Sequence, residues 1–156
     1  MKNDDNALEN RPWARTKPGQ LIAKGHGAGD ILEADRWQIL DQKPGLLLVR
    51  VHLPEALKNP QGQLFGGFTP TYVDMVSLYT VHSAAEAGDP TAPKSWLTTI
   101  NMRCDYFEPI VQDQFEIRGE LVNQRGLTSL ISTKFFQNSV MAAHALTTLR
   151  ALPAVS

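Results

Sequence analysis

From Gly67 to about Ala87 the chain reads as one helix of about 20 residues, or about 30 Å. Pro70 is tolerated only in a first turn, which places the start of this helix between Gly67 and Thr69. Phe68, Tyr72, Met75, Val76, Tyr79 and Val81 supply more apolar surface than a helix on the outside of a protein needs. The helix is therefore expected at the centre of the fold, with EAGDPTAPKS, rich in glycine, proline and acids, ending it.

The rest of the chain leaves little room for a second long helix. WLTTINMRCDYF, DQFEIRGELVN, LTSLISTKFFQ and SVMAAHALTTLRAL read as strands, with turns near Glu108 to Val111, Gln124 to Gly126, and Gln137 to Asn138. The alanines of the last segment favour a helix locally. Its β-branched threonines and its place after two hairpins favour an antiparallel strand. Ahead of the helix, LLLVRVHL is a strand whose almost unbroken apolar run predicts cover over most of its surface. One strand, one helix and four strands predict an α+β domain in which a sheet packs around the helix.

The chain of 156 residues, 42% of them hydrophobic, suits a single core, placed at residues 45–152. Residues 1–44 read as an extension, polar and broken by Pro12, Pro18 and Pro44. Within it, Ile31 to Leu40 is expected as a short helix that turns Ile31, Trp37 and Leu40 toward the body or a partner. KGHGAGD lacks the GxxxxGK[ST] pattern of a phosphate loop, so a flexible arm or a flap over a ligand is expected instead. The acidic start MKNDDNALEN does not resemble a secretory signal, and no apolar run reaches the ~18 residues that span a bilayer, so the cytoplasm is the expected location.

Several chemistries are disfavoured. Fifteen basic and 16 acidic side chains give no overall field for nucleic acid. Cys104 is the only cysteine, and His26, His52, His82 and His144 are dispersed, so no metal site is expected. No GxSxG elbow supports a serine hydrolase.

The chemistry concentrates in NPQGQLFGGFTPTYVD, Asn59 to Asp74. Gly66 and Gly67 can offer bare N–H groups to a carbonyl oxygen at the positive end of the helix, and Asp74 two turns further on is a candidate base. The alternative is that the glycines only let the chain turn while Asp74 is a solvated helix residue. Likewise Phe65, Phe68, Tyr72 and Tyr79 fit either a pocket lining or a core. Ser77, three residues after Asp74, either holds a water or bonds a local carbonyl.

The same stretch, with the DYFEPI segment from Asp105 to Ile110 and the strands after it, resembles the hotdog-fold acyl-CoA thioesterases over residues 45–150, especially the branch of phenylacetyl-CoA and 4-hydroxybenzoyl-CoA thioesterases. That family reads N-x-x-G-x-x-H-G-G with an acid nine residues after the histidine. Asn59, Gly62, Gly66, Gly67 and Asp74 match, while Phe65 stands at the histidine and Leu78 where a serine or threonine is common.

The resemblance implies a hotdog fold, a curved antiparallel sheet wrapped around a central helix. It also implies a homo-oligomer, a dimer of dimers with active sites between subunits. Acyl-CoA is the implied substrate, with no cofactor beyond the CoA it carries. Gly67 would bind the thioester oxygen, Asp74 of the facing subunit would activate water or attack the carbonyl, and Asn59 would hold the water or the substrate. Gly66, Phe65, Phe68, Tyr72 and Ser77 would contact substrate, and Arg125, beside Gly126 in a turn, is a candidate for the CoA phosphates together with Arg103, Lys134 and Arg150. A catalytically silent oligomer that binds acyl-CoA or another acyl compound is the alternative.

Overall fold

The computed structural model describes residues 11–88 and 96–152. The stretch expected to end the long helix therefore lies partly outside the described residues, at 89–95, as does the acidic start at 1–10.

The protein has a hotdog fold. A six-stranded, wholly antiparallel sheet in the order β1-β2-β4-β5-β6-β3 curves around one long helix, α2. The strands are β1 (Gln38–Lys43), β2 (Leu46–His52), β3 (Leu97–Tyr106), β4 (Gln114–Arg125), β5 (Thr128–Gln137) and β6 (Val140–Ala151). The helix α2 (Thr69–Gly88) follows a 3-10 turn at Gly66–Phe68 and touches all six strands. Val140 to Ala151 is a strand, as its threonines suggest. The β5–β6 hairpin turns on Asn138 and Ser139, both at positive φ (49° and 63°), the geometry of a two-residue turn that suits the twist of its strands.

The inner face of the sheet follows a period of two. Leu47, Val49 and Val51 on β2, Phe115 and Ile117 on β4, Ile131 and Phe135 on β5, and Ala143, Ala145 and Leu149 on β6 are buried. All but Ile131 and Leu149 share one core with Tyr72, Val73 and Val76 of α2, each fully buried, while Ile131 and Leu149 cluster with Val81. A large apolar side chain buried in this way contributes about 1.5–3 kcal/mol. On β2 the apolar run covers one face only: Leu46 and Leu48 on the outer side are half-exposed.

Gly119 of β4 lets the sheet approach the helix closely. A Cβ there would lie 2.1 Å from Thr80 Oγ1 and 3.0 Å from Val76 Cγ1. The Thr80 hydroxyl is held by donating to the Val76 carbonyl (2.8 Å), so it occupies that space permanently.

The segment ahead of residue 45 departs from expectation. Ile31 to Leu40 is not one helix but the end of α1 (Gly27–Ile31), a 3-10 turn at Ala34–Arg36 and the start of β1. Glu33 adopts a left-handed φ of 51°, which breaks the helix, and Gln38 onward pairs with β2. Trp37 is buried, at 2% exposure, whereas Ile31 and Leu40 are exposed at 57% and 39%. The sheet thus begins at Gln38 rather than at Leu46, because local helix preference loses to strand pairing.

Part of the described extension joins the core. Leu21, Ile22, Leu32 and Ala34 belong to the same core as α2, and Gly19 accepts a backbone hydrogen bond from Ile39 (3.0 Å).

Candidate active site at the start of the central helix

The turn that precedes the helix is shaped by Asn59. Its Oδ1 accepts from the N–H groups of Gln61 and Gln63 (both 3.0 Å), and its amide donates to Gln63 Oε1 (3.2 Å). Gly62 completes the turn at φ 76°. Leu64 and Phe65 then bond through their N–H groups to the Ile110 and Leu57 carbonyls (2.8 and 2.9 Å). With its side chain engaged this way, Asn59 fixes the approach to the helix and lines neither of the two clefts beside it.

Gly66 and Gly67 open the 3-10 turn that runs into α2. Their N–H groups occupy first positions, where no carbonyl of the helix can accept from them. The Gly66 carbonyl accepts from the Tyr106 hydroxyl of β3 (2.8 Å), which holds the turn against the sheet edge. A Cβ on Gly67 would stand 2.7 Å from Cε1 of Phe65, whose exposed ring lies over it, so a larger residue there requires that ring to move. Phe65 in turn meets Phe68 edge-on, with ring centroids 6.0 Å apart. Phe68 is half-buried against the core.

Asp74 sits on the same side of the helix, seven residues and about 10 Å further along the axis. It is half-buried and accepts a hydrogen bond on Oδ1 from the Thr99 hydroxyl. Thr99 lies at a bulge in β3, where the register against β6 shifts between Thr99 and Asn101. Such irregularities commonly re-aim a side chain. Oδ2 keeps lone pairs for another donor.

Two clefts flank these groups. The larger, about 750 Å³, contains Asp74 and Thr99 and runs along α2 past Met75, Leu78, Tyr79 and His82. Burial pushes the Tyr79 phenol up to about 12, so its hydroxyl stays protonated. The smaller, about 210 Å³, is bounded by Gly66, Thr69, Tyr106 and Ile110. Within one chain the glycine turn and the carboxylate therefore open onto different spaces.

The other expected contacts separate. Tyr72 is in the core, stacked on Trp37 (5.6 Å, 13°) and edge-on to Phe115 (5.6 Å) and Phe135 (6.3 Å). Burial raises its pKa, with the Glu33 charge adding to the shift. Ser77 is buried facing β5, with its Oγ 3.3 Å from Thr133 Oγ1. Arg125 is exposed in the β4–β5 turn and lines neither cleft. Arg103 is exposed and paired with Asp105 (3.1 Å). Thr99, Trp13 and His26 also line the larger cleft and Tyr106 the smaller; the segments around Tyr106 and His26 are legible in the sequence, but none of these four side chains is singled out there. The strand pattern around Thr99 and Tyr106 is a usable signal, since a strand beside the helix must present alternate residues to it.

The chain belongs to the thioesterase superfamily, whose family model matches residues 61–142, more than half of its length. No curated protein sequence matches it.

Solved structures share the fold at low identity. A phenylacetic acid degradation-related protein from Ralstonia eutropha JMP134, described as a putative thioesterase, superposes with a TM-score of 0.70 at 18% identity, covering 83% of this chain and 92% of that one. A hypothetical thioesterase from Streptococcus pneumoniae TIGR4, crystallised with coenzyme A, gives 0.65 at 20% identity over 75% and 86%. Thioesterase superfamily member 2 from Mus musculus gives 0.65 at 18% identity over 81% and 87%. Among the described residues no helix is long and apolar enough to cross a membrane.

Proposed function

We propose that this protein hydrolyses acyl-CoA thioesters. The observation that carries the reading is Asp74 itself: a carboxylate oriented by Thr99 at the side of a large, mainly apolar cleft, on a helix whose first amides are bare. Water attacks the thioester carbonyl carbon while Asp74 accepts its proton. The carbonyl oxygen takes up negative charge and is met by the Gly67 N–H at the positive end of the helix. Collapse breaks the C–S bond, and the departing thiolate recovers the proton from Asp74, giving CoA and a carboxylic acid. Direct attack by Asp74 to form an anhydride uses the same groups. The CoA held by the Streptococcus pneumoniae protein supports an acyl-CoA substrate.

The reading includes a second subunit. Gly67 and Asp74 of one chain are about 10 Å apart along the axis, too far to serve one carbonyl and its attacking water. A facing chain would bring its own Asp74 to the glycine turn. β3 is the surface suited to that pairing. Among the described residues it pairs only with β6, and exposed Trp96, Ile100, Tyr106 and Phe107 lie on or beside it. A dimer joined there, and a dimer of dimers beyond it, follow the family pattern.

A silent acyl-binding oligomer is favoured by one observation, the Phe65 ring over Gly67 in place of a histidine. Time-resolved release of free CoA thiol from phenylacetyl-, hydroxybenzoyl- and straight-chain acyl-CoAs separates the two. Many turnovers per site support hydrolysis. Saturable binding without turnover supports the silent binder.

A further inference from the structure

The wall of the larger cleft opposite α2 comes from the segment ahead of the sheet, outside residues 61–142 matched by the family model. Arg11, Trp13, Ala14, His26 and Ala28 all line it. Resting on the thioesterase reading, we propose that this segment is a built-in wall of the acyl site and that Trp13 is its specificity-determining side chain, selecting apolar acyl groups by width.

The wall is constructed rather than loosely draped. Trp13 sits in a 3-10 turn at Pro12–Ala14, is half-buried, and meets the His26 imidazole edge-on at 5.4 Å and 88°. The Trp13 carbonyl accepts from Ala23 N–H (2.8 Å), which ties the two limbs of the segment together. Gly25, at φ 106°, lets Pro12 pack against the backbone, since a Cβ would stand 3.2 Å from the proline ring. Its N–H is held by the Asp30 carboxylate (3.0 and 3.2 Å). His26 Nδ1 accepts from Gly29 N–H (3.0 Å), so the ring orientation is fixed as it faces both Trp13 and the cleft. Leu21 and Ile22 between these anchors are buried in the core.

The shape of the cleft says what it would take. Its α2 floor runs from Pro70 to His82, about 18 Å along the axis, with Asp74 one turn in and Leu78, Tyr79 and His82 beyond. A carbonyl near Asp74 would send its acyl group along this stripe, between the helix and the indole of Trp13. Trp96, Leu97 and Met102 line the same space, so an apolar tail is favoured. The indole is the largest side chain on the arm side, so its removal would widen the channel more than any other single change there.

Non-hydrolysable thioether analogues, S-butyl-, S-octyl- and S-(2-phenylethyl)-CoA, are titrated calorimetrically into the full chain, with Trp13→Ala, Trp13→Phe and Ala14→Leu alongside and circular dichroism confirming the fold of each. Trp13→Ala is expected to shift the ratio of phenylethyl to butyl affinity about tenfold toward the bulkier analogue, with Trp13→Phe keeping the original order and Ala14→Leu shifting the ratio the other way. Should Trp13→Ala not fold, the Ala14→Leu shift decides alone. Affinity ratios that are the same in wild type and the folded variants overturn the wall while leaving the thioesterase reading intact. A wild type that binds none of the analogues overturns both.

Discussion

Thr99 reaches from a bulge in β3 to donate its hydroxyl hydrogen bond to Asp74 on α2, tying the edge strand to a carboxylate of the central helix that faces the large cleft. The bond leaves one carboxylate oxygen committed and the other available, an arrangement that points the group rather than neutralising it.

Thr99→Val removes that bond with almost no change in volume. It is expected to lower kcat about tenfold while KM stays within about twofold, and Thr99→Ser is expected to restore most of the loss. Steady-state kinetics of the three chains reads this directly. Equal losses in Ser and Val would mean that packing, not the hydroxyl, matters at this position.

Gly67→Ala places a methyl group where Phe65 Cε1 already lies, at 2.7 Å. Activity is expected to fall about tenfold or more, and Phe65→Ala in the same chain is expected to recover much of it by vacating the space. A double-mutant cycle on kcat/KM should return a coupling of about 1–2 kcal/mol. Additive losses would indicate that the ring and the glycine do not constrain each other.

The long helix was legible because proline, glycine and abundant apolar residues are local signals. The expected span from Gly67 to Ala87 differs from Thr69–Gly88 mainly by the 3-10 turn at its start. The last four strands were legible from alternation and turn residues. β1 was not, since Glu33 to Arg36 favour helix locally and only pairing with β2 makes Gln38–Lys43 a strand.

A largely apolar central helix also conceals which of its apolar residues face a cleft. Tyr72 and Ser77 face the sheet, while Asp74, Leu78 and Tyr79 face open space, and nothing in their residue types separates the two sets. Trp13 and His26 reach the cleft only through the path of the chain, which no local pattern records.

Gly119→Ala tests this close approach of helix and sheet. The added methyl would meet Thr80 Oγ1, itself held by the Val76 carbonyl, so helix and strand must separate. A loss of about 1–3 kcal/mol is expected in urea unfolding, with part of it recovered by Thr80→Ala. An unchanged midpoint would show that the sheet yields there at no cost.

Burial, with a smaller contribution from the Asp105 charge, pushes the Cys104 thiol up. The thiolate is the reactive form, so a raised pKa leaves less of it at any given pH. Alkylation by iodoacetamide at pH 8 is expected to be slower than for a free cysteine, and to go on rising with pH beyond the point where the free amino acid levels off. A rate at pH 8 matching the free amino acid would contradict this environment.

Asp74→Asn keeps the shape of the side chain and removes its basicity, so it isolates the carboxylate as the proton acceptor of hydrolysis. Release of CoA thiol is followed for wild type and variant on the best acyl-CoA, with oligomeric state and S-octyl-CoA binding measured on both. With Asp74 as the base, kcat is expected to fall at least about a hundredfold with assembly and binding preserved. A variant that assembles, binds and turns over at close to the wild-type rate would contradict that role.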